Sequence, residues 1–246
     1  VVNFRWNQLF SDQLFSNLSL IYSDYYYGLN LNFVGFEWNS GIQNMNIKYD
    51  FKQYISDRYK LEYGVHSTYY RFNPGIISPN GPESGINKEE LTNKFAFENA
   101  VYIDVNQQVT DRLAISYGAR LSTFLRLGQK ELNVYENGQA IRFNNDLQFY
   151  EKIDPIGFKS DGHGKVIKSF MNLEPRVALS YQLDEETSIK TSYNRMAQYL
   201  HLLSNTSSPT PLDVWAPSGT YIQPQILDQV AIGYFKNYER YSLEVE

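Results

Sequence analysis

The chain of 246 residues carries three histidines, His66, His163 and His201, and no cysteine. Metal chemistry needs several ligands at fixed spacings, and with no His-Glu-x-x-His or paired-histidine pattern a zinc site is not expected. Asp154, Asp161 and His163 share one stretch, but Gly157 to Gly164 reads as a flexible turn and lacks the spacing of a calcium loop. Gly162-His163-Gly164 also lacks the third glycine of a phosphate loop. Ser204 or Asp213 with His201 is conceivable as a hydrolase pair, yet proximity in sequence does not supply the geometry. Neither an enzyme nor a cofactor is expected. The residues better suited to function are suited to binding. Tyr199, His201, Trp215 and Tyr221 crowd one segment, and their flat faces fit sugars, aromatic siderophores or stacked peptide groups. Arg195, just before them, is available for a carboxylate or other anion. These five are the expected substrate-binding residues. A structural role competes: His201 can pack between Tyr199 and Trp215, and Trp215, flanked by Pro211 and Pro217, can pin its loop.

Something must hold that segment in place, and composition says what. Aromatic residues make up 16% of the chain, 21 of them Tyr, while charged residues make up only 20%. The longest apolar run, Ala100 to Ile103, is far short of the ~20 residues of a spanning helix. A net charge of -5 argues against a nucleic-acid partner. The chain opens at Val1 with no Met or leader and stops inside an alternating run, so an internal fragment is expected.

Period-two alternation dominates the rest. Met45, Ile47, Tyr49 and Phe51 interleave with Asn44, Asn46, Lys48, Asp50 and Lys52, which places the two sets on opposite faces of a strand. Tyr59, Leu61, Tyr63, Val65 and Tyr69 oppose Lys60, Glu62, Gly64, His66 and Thr68, and later runs repeat the pattern through Val177, Leu179 and Tyr181 to Leu243 and Val245. About ten strands of roughly 10 to 14 residues are expected. Short turns at 11–12, 56–58, 107–111, 184–186 and 237–239 alternate with long loops at roughly 28–40, 73–93, 126–169 and 197–223. Loop chemistry concentrates at Ser78-Pro79-Asn80-Gly81-Pro82 and Ser207-Ser208-Pro209-Thr210-Pro211. Pro175, inside an alternating run, conflicts mildly unless it sits at the loop-side end of its strand.

Loops of one length at one end are the mark of a transmembrane antiparallel β-barrel with short periplasmic turns and long extracellular loops. Closure of such a barrel pairs every backbone group in lipid. A dry core would have to bury Lys48, Asp50, Lys52, Lys60, Glu62, Arg112, Arg120 and Arg176, at several kcal/mol each unless paired; a wet lumen does not. Leu18, Ile47, Leu61, Val101, Ile115 and Leu179 are therefore expected to face lipid. Tyr49, Phe51, Tyr54 and Tyr59 form one expected girdle, and Tyr25 to Tyr27, Tyr69, Tyr70, Phe72 and Phe124 the other. A soluble carbohydrate-binding sheet is the alternative outside the membrane.

From Asn172 to Asn237 the sequence resembles TonB-dependent outer-membrane receptors of the class whose barrel follows a carboxypeptidase-regulatory-like domain and a plug. The resemblance is carried by Leu173-Glu174-Pro175-Arg176-Val177-Ala178-Leu179-Ser180-Tyr181, Ser188-Ile189-Lys190-Thr191-Ser192-Tyr193-Asn194-Arg195, Gln198-Tyr199-Leu200-His201-Leu202-Leu203-Ser204, Asp213-Val214-Trp215-Ala216-Pro217-Ser218 and Pro224-Gln225. It implies a barrel of about 22 strands, of which residues 1–246 would be a middle part lacking plug, TonB box and closing strands. It further implies a Gram-negative outer membrane, and energy-coupled uptake of a siderophore, cobalamin, glycan or peptide. Outer-membrane lipid, TonB acting through the missing segment and a surface lipoprotein are the implied partners. A passive porin or adhesin barrel is the alternative within the membrane.

Overall fold

Residues that alternate in polarity gain most from a strand with two environments, and in the computed structural model they build one main sheet along ten strands paired in order, nine of them of 10 residues or more, with the two-residue strand Glu89–Glu90 added at one side. The structure describes residues 1–32, 35–81, 84–85, 87–204 and 213–246; Pro82 and the expected loop stretch 207–211, with Pro211, lie outside them. In chain order the strands are β1 (Val2–Ser11), β2 (Leu14–Leu31), β3 (Phe36–Ser56), β4 (Tyr59–Pro79), β5 (Lys94–Gln108), β6 (Leu113–Leu127), β7 (Val166–Gln182), β8 (Thr187–Gln198), β9 (Gln225–Asn237) and β10 (Ser242–Val245). Each pairs antiparallel with the next, in simple up-and-down order. No described helix is long and apolar enough to cross a membrane.

The middle strands outrun the expected length: β3 and β4 have 21 residues each, or roughly 70 Å of extended chain. A spanning strand needs only ~9 to 11 residues, so the sheet rises well past any hydrocarbon layer. This overturns the long loop expected at 28–40, because β2 and β3 stay paired up to Leu31 and Phe36. The extension is amphipathic with the same period, and Trp38 within it is buried, so pairing continues where a loop was expected. The loop 126–169 instead contains two short hairpins, Leu132–Val134 with Gly157–Lys159 and Ile141–Asn144 with Phe149–Lys152.

Register fixes which side chains share a face. Tyr22, Met45, Tyr69, Phe97 and Leu125 lie in one row across β2 to β6. Below them Val65, Val101, Leu121 and Leu173 form another, and Ile115 pairs with Leu179. On this face Ile47 and Val101 are 51% and 52% exposed. Above the row of Tyr69 the same face turns polar at Asp24, Gln43 and Arg71, which are also in register. The apolar band thus stops at Tyr69 on β4 and runs on through Phe97 to Phe95 on β5, but on β9 it reaches only Val230, which shares a row with Val105 of β5. Such displacement from strand to strand is what tilted strands in a barrel wall produce.

Pro175 sits mid-strand rather than at a loop-side end. It pairs with Ala119 of β6, while pairing of β7 with β8 begins only at Arg176, so no β8 partner is deprived of a donor. The expected outer girdle is also corrected. Tyr69 and Tyr26 lie on the apolar face, but Phe72 and Phe124 belong to the opposite parity. There they form a buried cluster with Ala96 and Tyr199, and Tyr70 packs against it.

Candidate functional site

The polar face of the sheet carries a continuous side-chain network. Arg120 approaches Glu98 at 3.6 Å and His66 Nδ1 at 3.3 Å. The other ring nitrogen of His66 meets Asn46 at 2.6 Å and Thr68 at 3.1 Å, and the Tyr70 hydroxyl donates to Glu98. Further along, Lys48 pairs with Asp50, Tyr102 donates to Asp50, and Arg176 grips Asp104 through two nitrogens. Within this network each cation stands beside a carboxylate, Arg120 by Glu98, Lys48 by Asp50 and Arg176 by Asp104, so this part of the face is both charged and strongly hydrogen-bonding.

Two glycines make the longer reaches possible. Gly64 lies between Asp50 and Tyr102 in register, and Gly118 between Asp104 and Arg176. A Cβ on Gly64 would meet the Tyr102 ring and hydroxyl at 3.0 Å, and one on Gly118 would come within 2.9 Å of the Asp104 backbone. Each glycine therefore clears a path for a side chain to cross an intervening strand. Gly118→Ala should cost ~1 to 3 kcal/mol of unfolding free energy through this crowding. Gly85→Ala, which has no atom within 4 Å of the added methyl, should be nearly neutral; denaturant unfolding in lipid vesicles compares them.

At the end remote from the short turns the polar face is covered. After β8 the chain folds inward as a hairpin, Leu200–Leu203 paired with Val214–Pro217. Tyr199, 3% exposed, stacks on Phe124 with ring centroids 4.9 Å apart and planes 6° from parallel. Its hydroxyl meets Ser122 Oγ at 2.7 Å and accepts from Asn172 at 2.8 Å. His201, 5% exposed, contacts Ser218 Oγ at 2.8 Å, and burial holds its imidazole below the usual histidine range, so it is neutral at pH 7. Tyr27 on β2 donates to the Asp213 carbonyl at 2.7 Å, tying the hairpin to the far side of the sheet.

The five expected binding residues are thus divided among three places. Tyr199, His201 and Trp215 come together in the inward hairpin, where Trp215 packs against the Phe72–Phe124 cluster. Tyr221 stands apart in an outer cleft of about 450 Å³ between the loops after β4, β6 and β8. There it meets Tyr135 edge-on at 5.3 Å and donates to the Asn133 carbonyl at 2.8 Å. Arg195 is not brought to the others: it lies on the apolar face, in register with Asp228 and 3.9 Å from it. Nor is a metal site assembled among the described residues; His163 stacks on Phe95 at 4.1 Å and Asp161 bonds Lys165. The His201–Ser218 pair is sealed from solvent, which suits packing rather than hydrolysis.

Several residues of this arrangement escape a reading of the sequence. Arg126, expected in a loop, is the last residue but one of β6, with its side chain buried on the polar face, and Lys94 lies on the neighbouring strand. The signal was present, since Arg126 continues the even-numbered series Ser122 and Phe124.

No family model matches the sequence, and no curated protein matches it either. Solved structures do. The FrpB iron transporter of Neisseria meningitidis superposes with a TM-score of 0.52 at 14% identity, covering 96% of this chain and 34% of that one. The ferric preacinetobactin receptor BauA of Acinetobacter baumannii gives 0.53 at 15% identity, with 96% and 34% covered. The ferric-catecholate import receptor Fiu of K12 E. coli gives 0.51 at 12%, with 95% and 37% covered. The fold is that of outer-membrane receptor barrels: a wall of about ten antiparallel strands, spanning about a third of the length of these structures. All three are named as transporters or receptors, none as an enzyme.

Proposed function

We propose that the chain is part of the barrel of a TonB-dependent receptor in a Gram-negative outer membrane, importing a nutrient at the expense of inner-membrane energy. The observation that supports this best is the pairing of an apolar band left open on one face with a charged, hydrogen-bonding face on the other. Water does not tolerate so large an apolar surface, and lipid does not tolerate the other face; a barrel wall satisfies both. In this reading residues 1–246 supply ten strands of about 22, the plug occupies the polar lumen, and TonB acts through that plug. The likeness to iron and siderophore transporters favours a metal chelate among the candidate cargoes. The inward hairpin around Tyr199, His201 and Trp215 forms the roof, and Tyr221 faces arriving ligand.

Two measurements test this. Cells producing the whole protein should place it in the outer-membrane fraction, and uptake of its cargo from a nutrient panel should stop when a protonophore collapses the proton gradient. Uptake that persists without the gradient would instead indicate a passive porin.

A further inference from the structure

Lys94 and Arg126 occupy the floor of the outer cleft, on the lumen side of β5 and β6. Arg126 is only 4% exposed. Its guanidinium donates to the Phe95 carbonyl at 2.7 Å, the Leu127 carbonyl at 2.8 Å and the Gln129 side-chain oxygen. All three acceptors are neutral, and they use three of the five N–H groups an arginine carries. Among the described residues neither Arg126 nor Lys94 forms an ion pair. Glu90 and Glu131 line the same cleft but are exposed at its rim. The two cations are close enough to repel one another.

Deeper on the same face three cations are matched, Arg120 with Glu98, Arg176 with Asp104 and Lys48 with Asp50, whereas Lys168, the register partner of Arg126, is a third cation on this face and is exposed. Burying a guanidinium without a counter-charge is costly, and two like charges side by side add to that cost. An arriving anion removes both penalties. Gly219 lies over the Arg126 stem, where a Cβ would meet it at 3.4 Å, and its lack of a side chain keeps the approach open. Tyr135 and Tyr221 form one wall with rings at 83°, an edge-to-face pair that leaves a ring face for a planar guest. At about 450 Å³ the cleft is within the size of small-molecule sites.

We propose that this cleft is an anion site: it holds a carboxylate, phosphate or sulfonate between Lys94 and Arg126 while a planar ring on the same ligand stacks against Tyr221. The inference rests on the receptor reading only for calling that ligand a cargo, and it narrows the cargo to an acidic, ring-bearing molecule.

Phenyl phosphate is a suitable probe, with phenol and inorganic phosphate as its two halves, titrated by calorimetry into the whole protein in detergent. Phenyl phosphate should bind saturably and at least tenfold more tightly than either half. Lys94→Met, which keeps the aliphatic stem, should weaken it about tenfold, the scale of one charge-assisted hydrogen bond. Tyr221→Leu should bring its affinity down towards that of inorganic phosphate, and Lys159→Met, outside the cleft, should change nothing. Phenyl phosphate binding no tighter than phenol, or binding indifferent to Lys94→Met, overturns the site. Energy-dependent uptake without phenyl phosphate binding overturns the site alone. Binding that depends on Lys94, in a protein showing no energy-dependent uptake, leaves the site standing and removes the receptor reading.

Discussion

Arginine in place of Val101 should destabilise the protein in lipid vesicles by ~2 to 4 kcal/mol, the range for a cation on the lipid face of a barrel near midplane. Val101 is central to the apolar run of β5 between Phe97 and Val105, and its cross-strand neighbours are Val65 and Leu121. It is half exposed in the isolated wall, so the side chain does not have to be forced into a packed core; the whole cost comes from the surroundings. Ser116→Arg provides the contrast. Ser116 belongs to the polar parity, beside Asn106, to which it donates, and arginine there should cost below ~1 kcal/mol. Equilibrium unfolding in vesicles measures both. A tolerated Val101→Arg combined with a damaging Ser116→Arg would assign the faces the other way round.

The second large effect concerns the roof. Tyr199→Ala removes a buried ring stacked on Phe124 and leaves Ser122 and Asn172 without the hydroxyl they share. Deleting a buried aromatic ring costs ~3 to 5 kcal/mol, here felt by the inward hairpin rather than by the sheet, whose ladder lies elsewhere. The chain has no cysteine, so Ser218→Cys, at a fully buried position, reports directly on hairpin release. Its rate of maleimide labelling should rise 100-fold or more when Tyr199→Ala is added. Tyr199→Phe keeps the stack and loses the hydroxyl bonds, worth ~1 kcal/mol, so labelling should rise only several-fold. Equal rates in all three backgrounds would mean that Tyr199 does not hold the hairpin.

Strand identity and facing were legible because a period of two is a local property. The odd-numbered apolar residues of β3 and β4 announce their common face without knowledge of any partner. The ends of strands were not legible, since a loop and an extramembrane strand share the same polar, tyrosine-rich composition; β2 and β3 therefore ran past the expected loop at 28–40. Girdle assignment failed where it went by depth alone. Phe72 and Phe124 lie at the right height but on the wrong parity, and the same alternation that found the strands puts them inside. The binding set was read from crowding in sequence, yet Arg195 and Tyr199, four residues apart, end on opposite sides of the wall because the chain leaves β8 between them. Arg126 continues the even-numbered series of β6, but its nearness to Lys94 depends on the register of β5 with β6, which sets Arg126 opposite Ala96, two residues from Lys94, and is not a local property of either strand.

The central claim is that one face of this sheet meets lipid and the other a watery lumen. Nitroxide labels on single cysteines test it most directly, placed at Val101 and Leu179 on one face and at Ser116 and Ser180 on the other, in the whole protein reconstituted in bilayers. The first pair should relax strongly with dissolved oxygen and weakly with a water-soluble nickel chelate, and the second pair should show the reverse. Labels at Val101 and Leu179 shielded from both reagents would mean a dry core between packed sheets, and would contradict the barrel.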